Sequence, residues 1–197
     1  MNRRSAIAMG LLLAGSAALW HVNSASGEAG WTTLFDGSNL NEWEPIGNAN
    51  WRLTEGGAVQ ADLGNGFLVS KKEYGDFELK AEFWVDATAN SGVFIRATDP
   101  KQVTATNAYE VNIYDTRPDP SYGTGAIVNV AKVSPMPKAG NQWNYYDIIA
   151  KGDTFTIILN GIKTVDGAKD AKLPKGRIAL QYAAGIVKFR KVEIKAL

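Results

Sequence analysis

FELKAEFWV, Phe77–Val85, is the stretch whose reading decides the fold. Phe77, Leu79, Ala81, Phe83 and Val85 alternate with Glu78, Lys80, Glu82 and Trp84. Successive side chains of a strand point to opposite sides of a sheet. A period of two therefore puts five apolar groups on one face, and a helix would need spacings of three and four instead. The segment reads as a strand with one face on a core.

The same pattern extends in both directions along the chain. In Ser91–Ala97, Val93 and Ile95 face inward, with Phe94 and Arg96 on the other side. In AYEVNIYD, residues 108–115, Val111 and Ile113 face inward, and Glu110, Asn112 and Tyr114 face away. Residues 143–150 and Thr154–Leu159 are joined by Lys151-Gly152-Asp153, and Asn160-Gly161 turns the chain into residues 162–165. Asn-Gly between apolar runs is a strong hairpin signal, because both central residues of the turn need positive φ. Residues 177–182 and 187–195 close the chain. In the last of these, Val187 and Phe189 share a face, after which Val192 and Ile194 take over, so a bulge is expected at Arg190-Lys191.

No segment after Gly30 keeps a helical period. About a dozen short strands with turn signals between them predict an all-β domain, a two-sheet antiparallel sandwich or jelly roll. Two long polar loops, residues 115–125 and 131–142, are expected to carry function.

The beginning of the chain reads differently. Residues 1–27 combine Arg3-Arg4, an apolar run over 5–20 and small residues over 23–27. This is the pattern of a cleavable export signal, and the run is shorter than the roughly 20 residues of a spanning helix. The expected domain is then 28–197, with no membrane span in the mature protein and a bacterial periplasmic or extracellular location. Without Arg3 and Arg4 the basic residues fall from 21 to 19 against 20 acidic ones, a net charge of −1. Such a chain offers no basic field for nucleic acid. There is no Cys, and the one His is His21, inside the signal. Thiolate and imidazole chemistry and the usual zinc ligand sets are thereby excluded from the mature chain. No metal and no cofactor are expected.

A set of motifs carries a resemblance. In order they are LFDG (34–37) with Leu40 and Trp43, NW (50–51), EGG (55–57), KKEYGDFELKAEF (71–83) and NSGVFIR (90–96). YEVNIYD (109–115), TGAI (124–127), WN (143–144), LNG (159–161), GRIALQY (176–182) and Phe189-Arg190 follow. Together they resemble the 3-keto-disaccharide hydrolase domain family. The resemblance implies a concanavalin-like, laminin-G-like jelly roll and action on sugars oxidised to a ketone at C3. Two positions depart from the family pattern. Asn112 stands where members often have Gln, and Tyr182-Ala183 stands where a His often follows the Leu-Gln pair.

The polar face of 108–115 has a physical rationale in this setting. Side chains at i, i+2 and i+4 project along roughly 13 Å of strand. Carboxylates, amides and Arg bind sugar hydroxyls, and aromatic rings bind sugar faces. Standard glycosidases place two carboxylates across the scissile bond, and this strand supplies one. A 3-keto sugar changes the requirement. Its carbonyl acidifies C2–H, so one base suffices for elimination of the group at C1, after which water adds back. The expected catalytic pair is Glu110 as base and Arg96 as stabiliser of the enolate. Asn90, Asn112, Tyr114, Asp115, Asn144 and Gln181 are the expected contacts to a small carbohydrate. A non-catalytic, lectin-like module of the bacterial envelope is the alternative, and geometry separates the two. The loops at Asp36-Gly37 and Asp115 are the places a calcium ion would occupy, although neither is densely acidic.

Overall fold

The computed structural model describes residues 30–197. The export signal read in residues 1–27 lies outside the described residues. Thirteen strands are formed among them. The first six are β1 Thr32–Phe35, β2 Trp43–Gly47, β3 Arg52–Leu53, β4 Val59–Ala61, β5 Gly66–Tyr74 and β6 Phe77–Val85. There follow β7 Ser91–Ala97, β8 Tyr109–Ile113, β9 Gln142–Lys151, β10 Thr154–Leu159, β11 Ile162–Lys169, β12 Gly176–Tyr182 and β13 Val187–Ala196. A single 3-10 turn, Pro120–Tyr122, interrupts the loop after β8.

The strands form two sheets. The larger has eight strands in the order β11-β10-β9-β6-β13-β4-β3, with β1 also paired to β13. The smaller has five, β2-β5-β12-β7-β8. The fold is an antiparallel two-sheet jelly roll, as the alternation predicts. The β9–β10–β11 meander forms with Asn160 and Gly161 at φ of 52° and 81°. The phase slip in β13 is a register shift between Phe189 and Lys191.

The alternation in β6 becomes the core. Phe77, Leu79, Ala81, Phe83 and Val85 are buried, and the residues between them are half-buried. They pack against Leu68, Val93, Ile95, Val111, Ile113, Ile178 and Leu180 of the smaller sheet. Truncating a core aromatic such as Phe83 to Ala costs about 3–5 kcal/mol.

A second apolar cluster covers the outer face of the smaller sheet. Val69, Phe94, Ala97 and Ala179 project from its strands and meet Val103 and Ala108 of the β7–β8 connection. Ile46 and Phe67 pack against them. The smaller sheet is therefore apolar on part of its outer side as well as on its inner one, and every residue of β7 is buried.

Candidate functional site

The registers of the smaller sheet define its outer face row by row. One row runs Glu44–Val69–Ala179–Phe94–Glu110 across β2, β5, β12, β7 and β8. In the next row Ile46, Phe67 and Gln181 are paired, and Gly92 is paired with Asn112. Continuing the Leu180–Val93 pairing sets Gln181 beside Gly92. Glu110, Asn112 and Gln181 thus share one face. Asn90 and Tyr114, two residues further along their chains, follow the same alternation.

Glu110 is held from several directions. Tyr109 and Val111 anchor its strand in the core. Its carbonyl accepts a hydrogen bond from the Val128 amide (3.0 Å). The side chain is 9% exposed. A Cβ on Gly92 would lie 3.3 Å from the Phe94 ring and 3.4 Å from Glu110 Cγ, so the glycine leaves the two side chains room. Burial pushes the Glu110 carboxyl up from 4.5 to about 7, and the Arg117 guanidinium partly opposes the rise. That rise corresponds to about 3 kcal/mol at about 1.4 kcal/mol per pH unit. Among the described residues no hydrogen-bond donor reaches the carboxylate. Gln181 Oε1 is also buried without a partner.

Arg96 does not join this group. It adopts φ 54°, left-handed for a non-glycine residue. The pairing of β7 with β12 shifts at the same place, between Arg177 and Ala179. The bulge breaks the alternation and turns the side chain to the core side, where it stacks over Phe155 at 5.2 Å and is 1% exposed. Its guanidinium donates to the carbonyls of Gly75 (3.0 Å), Gly152 (2.8 Å) and Leu173 (3.1 Å) and to Asp76 Oδ1 (3.1 Å). The expected enolate stabiliser is instead a staple joining three loops. The cation near Glu110 is Arg117, in the loop after β8.

Two expected sugar contacts, Asp115 and Asn144, are occupied within the fold, and a third, Asn112, is occupied through its amide nitrogen alone. Asn112 is fully buried; its amide nitrogen donates to the Tyr122 carbonyl at 2.7 Å, and its Oδ1 is buried without a partner. Its backbone carbonyl accepts from the Tyr146 hydroxyl at 2.6 Å. Asp115 accepts from Thr124 Oγ1 (2.6 Å) and from the amides of Ala139 and Gly140 (both 2.9 Å). Asn144 lies in the other sheet, donates to the carbonyls of Ala139 (2.9 Å) and Gln142 (2.8 Å), and accepts from Asn160. These residues set the two long loops in place. Asn90 and Tyr114 remain half-exposed. The backbone of Asn90 is tied to Ala183 and Ala184, and the Tyr114 amide to Thr124 Oγ1 at 2.9 Å.

The chain matches the 3-keto-alpha-glucoside-1,2-lyase-like domain over residues 30–195. It belongs to that family. A candidate glycosyl hydrolase from Parabacteroides distasonis ATCC 8503 shares 30% identity with this lyase-like domain at a TM-score of 0.69, over 85% of this chain and 99% of the other. A second structure so described from the same organism reaches a TM-score of 0.72 at 18% identity, over 85% and 94%. Carbohydrate-binding module CBM66 from Bacillus subtilis reaches 0.61 at 20% identity, over 85% and 96%. A comparison with curated proteins found no match.

The geometry bears directly on how a lyase-like domain handles carboxylates. Glu44, the next carboxylate in the row of Glu110, lies four strand spacings away, about 19 Å. The pair of a standard glycosidase is about 5–10 Å apart. Glu78 and Glu82 alternate onto the outer side of β6, in the larger sheet. No group of three metal-ligating His, Cys, Asp or Glu side chains occurs among the described residues. The oxygens of Asp36 take hydrogen bonds from Ser38, and those of Asp115 take the donors named above. Sequence reasoning missed Gly92, Phe94 and Arg117. Gly92 and Phe94 sit inside the NSGVFIR motif, where alternation already put Phe94 on the outer face, and Arg117 sits in the first long loop.

Proposed function

We propose that this protein is an exported enzyme that cleaves 3-keto glycosides by elimination, with Glu110 as the only carboxylate base. The supporting observation is a nearly buried carboxyl on the sheet face, without a hydrogen-bond donor and pushed up to about 7. A base of that strength is well matched to proton abstraction near neutral pH. The distance to Glu44, the next carboxylate in its row, argues against direct displacement at C1 by that pair.

In this reading Glu110 takes the proton from C2, and the electron pair enters the C2–C3 enolate. The enolate collapses to a C1–C2 double bond as the C1–O bond breaks. The departing oxygen takes a proton, which Glu110 now holds. Addition of water across the double bond, hydroxyl to C1 and hydrogen to C2, completes a net hydrolysis. Arg117 stabilises the enolate electrostatically. Gln181 Oε1 accepts from a sugar hydroxyl, because a buried acceptor without a partner gains most from one. Asn90 and Tyr114 flank the same face. The His that family members often carry has no role in this scheme.

The export-signal pattern of the sequence over residues 1–27 supports an extracytoplasmic location. The test of the enzymatic reading is incubation with a 3-keto disaccharide, followed by mass spectrometry. Wild-type protein is expected to release the leaving sugar, and Glu110→Gln to release none. Full release by Glu110→Gln would exclude this base. Binding without release by the wild type would favour the lectin-like alternative.

A further inference from the structure

Two motifs, Trp143-Asn144 and Phe189-Arg190, lie away from Glu110, in the larger sheet. Trp143 and Arg190 meet on the outer face of the larger sheet, on the far side of the sandwich. The Arg190 guanidinium lies 4.0 Å from the centre of the Trp143 ring and donates to Glu82 at 2.5 Å. Trp143 is 38% exposed and Tyr145, two residues on and on the same face, is 46% exposed. Trp84 is paired with Trp143 and Glu82 with Tyr145. The bulge between Phe189 and Lys191 lets the adjacent Arg190 and Lys191 both reach this face.

Of these residues, Glu82, Tyr145, Arg190 and Lys191 border a groove. A cavity of about 300 Å³ is lined by Lys80, Glu82, Tyr145, Asp147, Lys191 and Glu193, among others. A neighbouring one of about 420 Å³ shares Glu82 and Lys191 and adds Arg190. The charges nearly balance, with Lys80, Arg190 and Lys191 against Glu82, Asp147, Glu193 and, at the edge, Asp36. Arg190 pairs with Glu82, Lys191 with Glu193 at 2.9 Å, and Lys80 stands opposite Asp147 in the ladder. A groove whose cations are nearly all paired with carboxylates holds little field to select an ion. Alternating donors and acceptors beside exposed aromatic faces suit a neutral molecule with many hydroxyls and an apolar ring face.

We propose that this groove is a second carbohydrate site, one that holds a neutral oligosaccharide by stacking on Tyr145 at a rim formed by Trp143 and Arg190. It is non-catalytic and stands independently of the role of Glu110. It would keep the protein on a glycan while the opposite face turns over a small substrate.

Calorimetric titration of the intact protein with cellopentaose, laminaripentaose and maltopentaose tests this. The wild type is expected to bind at least one. Tyr145→Ala should weaken that binding about five-fold or more, while Tyr145→Phe stays within about two-fold. Glu110→Gln should leave the binding unchanged, and Tyr145→Ala should leave turnover of a 3-keto disaccharide unchanged. Absence of wild-type binding to all three sugars would overturn the proposal. So would wild-type affinity in a folded Tyr145→Ala variant. Neither result bears on Glu110, whose failure would show in turnover alone.

Discussion

Glu110 stands directly across from Phe94 in the β7–β8 ladder, and the two share the outer face of the smaller sheet. Phe94 belongs to the apolar cluster that Val103 and Ala108 close from above. The carboxyl therefore sits at the border between a dry patch and a polar row. That position raises its proton affinity.

A first consequence concerns activity and pH. A base must be ionised to act, so turnover should fall as pH drops below about 7, following the Glu110 carboxyl. Arg117 favours the ionised form. Arg117→Gln should move the acid limb to higher pH and lower kcat about ten-fold or more through loss of enolate stabilisation. A pH–rate profile of both proteins checks the sign.

The same group affects stability. Its folded-state proton affinity is raised, so its contribution is fully present below about pH 4.5 and lost as pH rises through about 7. Between pH 5 and 8 the wild type should therefore lose more stability than Glu110→Gln, by up to about 3 kcal/mol. Denaturant unfolding at the two pH values measures the difference.

Gly92 offers a purely steric test. A methyl group there would press on the Phe94 ring at 3.3 Å and on Glu110 Cγ at 3.4 Å. The neighbours must shift by tenths of an ångström. Gly92→Ala should fold with a stability change of about 1 kcal/mol, yet lose roughly ten- to a hundred-fold in kcat, because small displacements of a catalytic group are costly. Thermal melts and initial rates together separate the two effects.

Arg96 should behave as a structural residue. Arg96→Ala leaves three carbonyls without their donor and Asp76 with only the Gly152 amide, and should cost about 3–5 kcal/mol. Its backbone is equally constrained. A Cβ on Gly176 would sit 2.4 Å from the Arg96 carbonyl carbon, so Gly176→Ala should also destabilise the protein. Variants that fold should retain kcat, since neither residue faces Glu110.

Alternation explains how much of this was legible in the sequence. Phe77–Val85 named its own inward face, Asn160-Gly161 its turn, and Val187–Ala196 its bulge. Alternation also put Glu110 and Gln181 on the outward side. It misplaced Arg96 because counting by two assumes extended backbone, and a φ of 54° breaks the count. Asn112, Asp115 and Asn144 looked like sugar ligands because their residue types suit hydroxyls. Their partners, Tyr122 and Ala139 among them, come from loop segments whose return path no local pattern reveals. The dry patch beside Glu110 depends on the β7–β8 connection folding over Phe94, which is likewise invisible in a strand pattern.

The most direct measurement is hydrogen exchange at the carbon that Glu110 is proposed to deprotonate. A 3-keto glycoside is incubated with the protein in D₂O and followed by proton NMR at C2. With wild-type protein the C2 proton signal should be lost and the released leaving group should appear, and with Glu110→Gln neither should occur. Release of the leaving group with C2 still protonated in the remaining sugar, or exchange at the wild-type rate in the Gln variant, would contradict elimination with Glu110 as base.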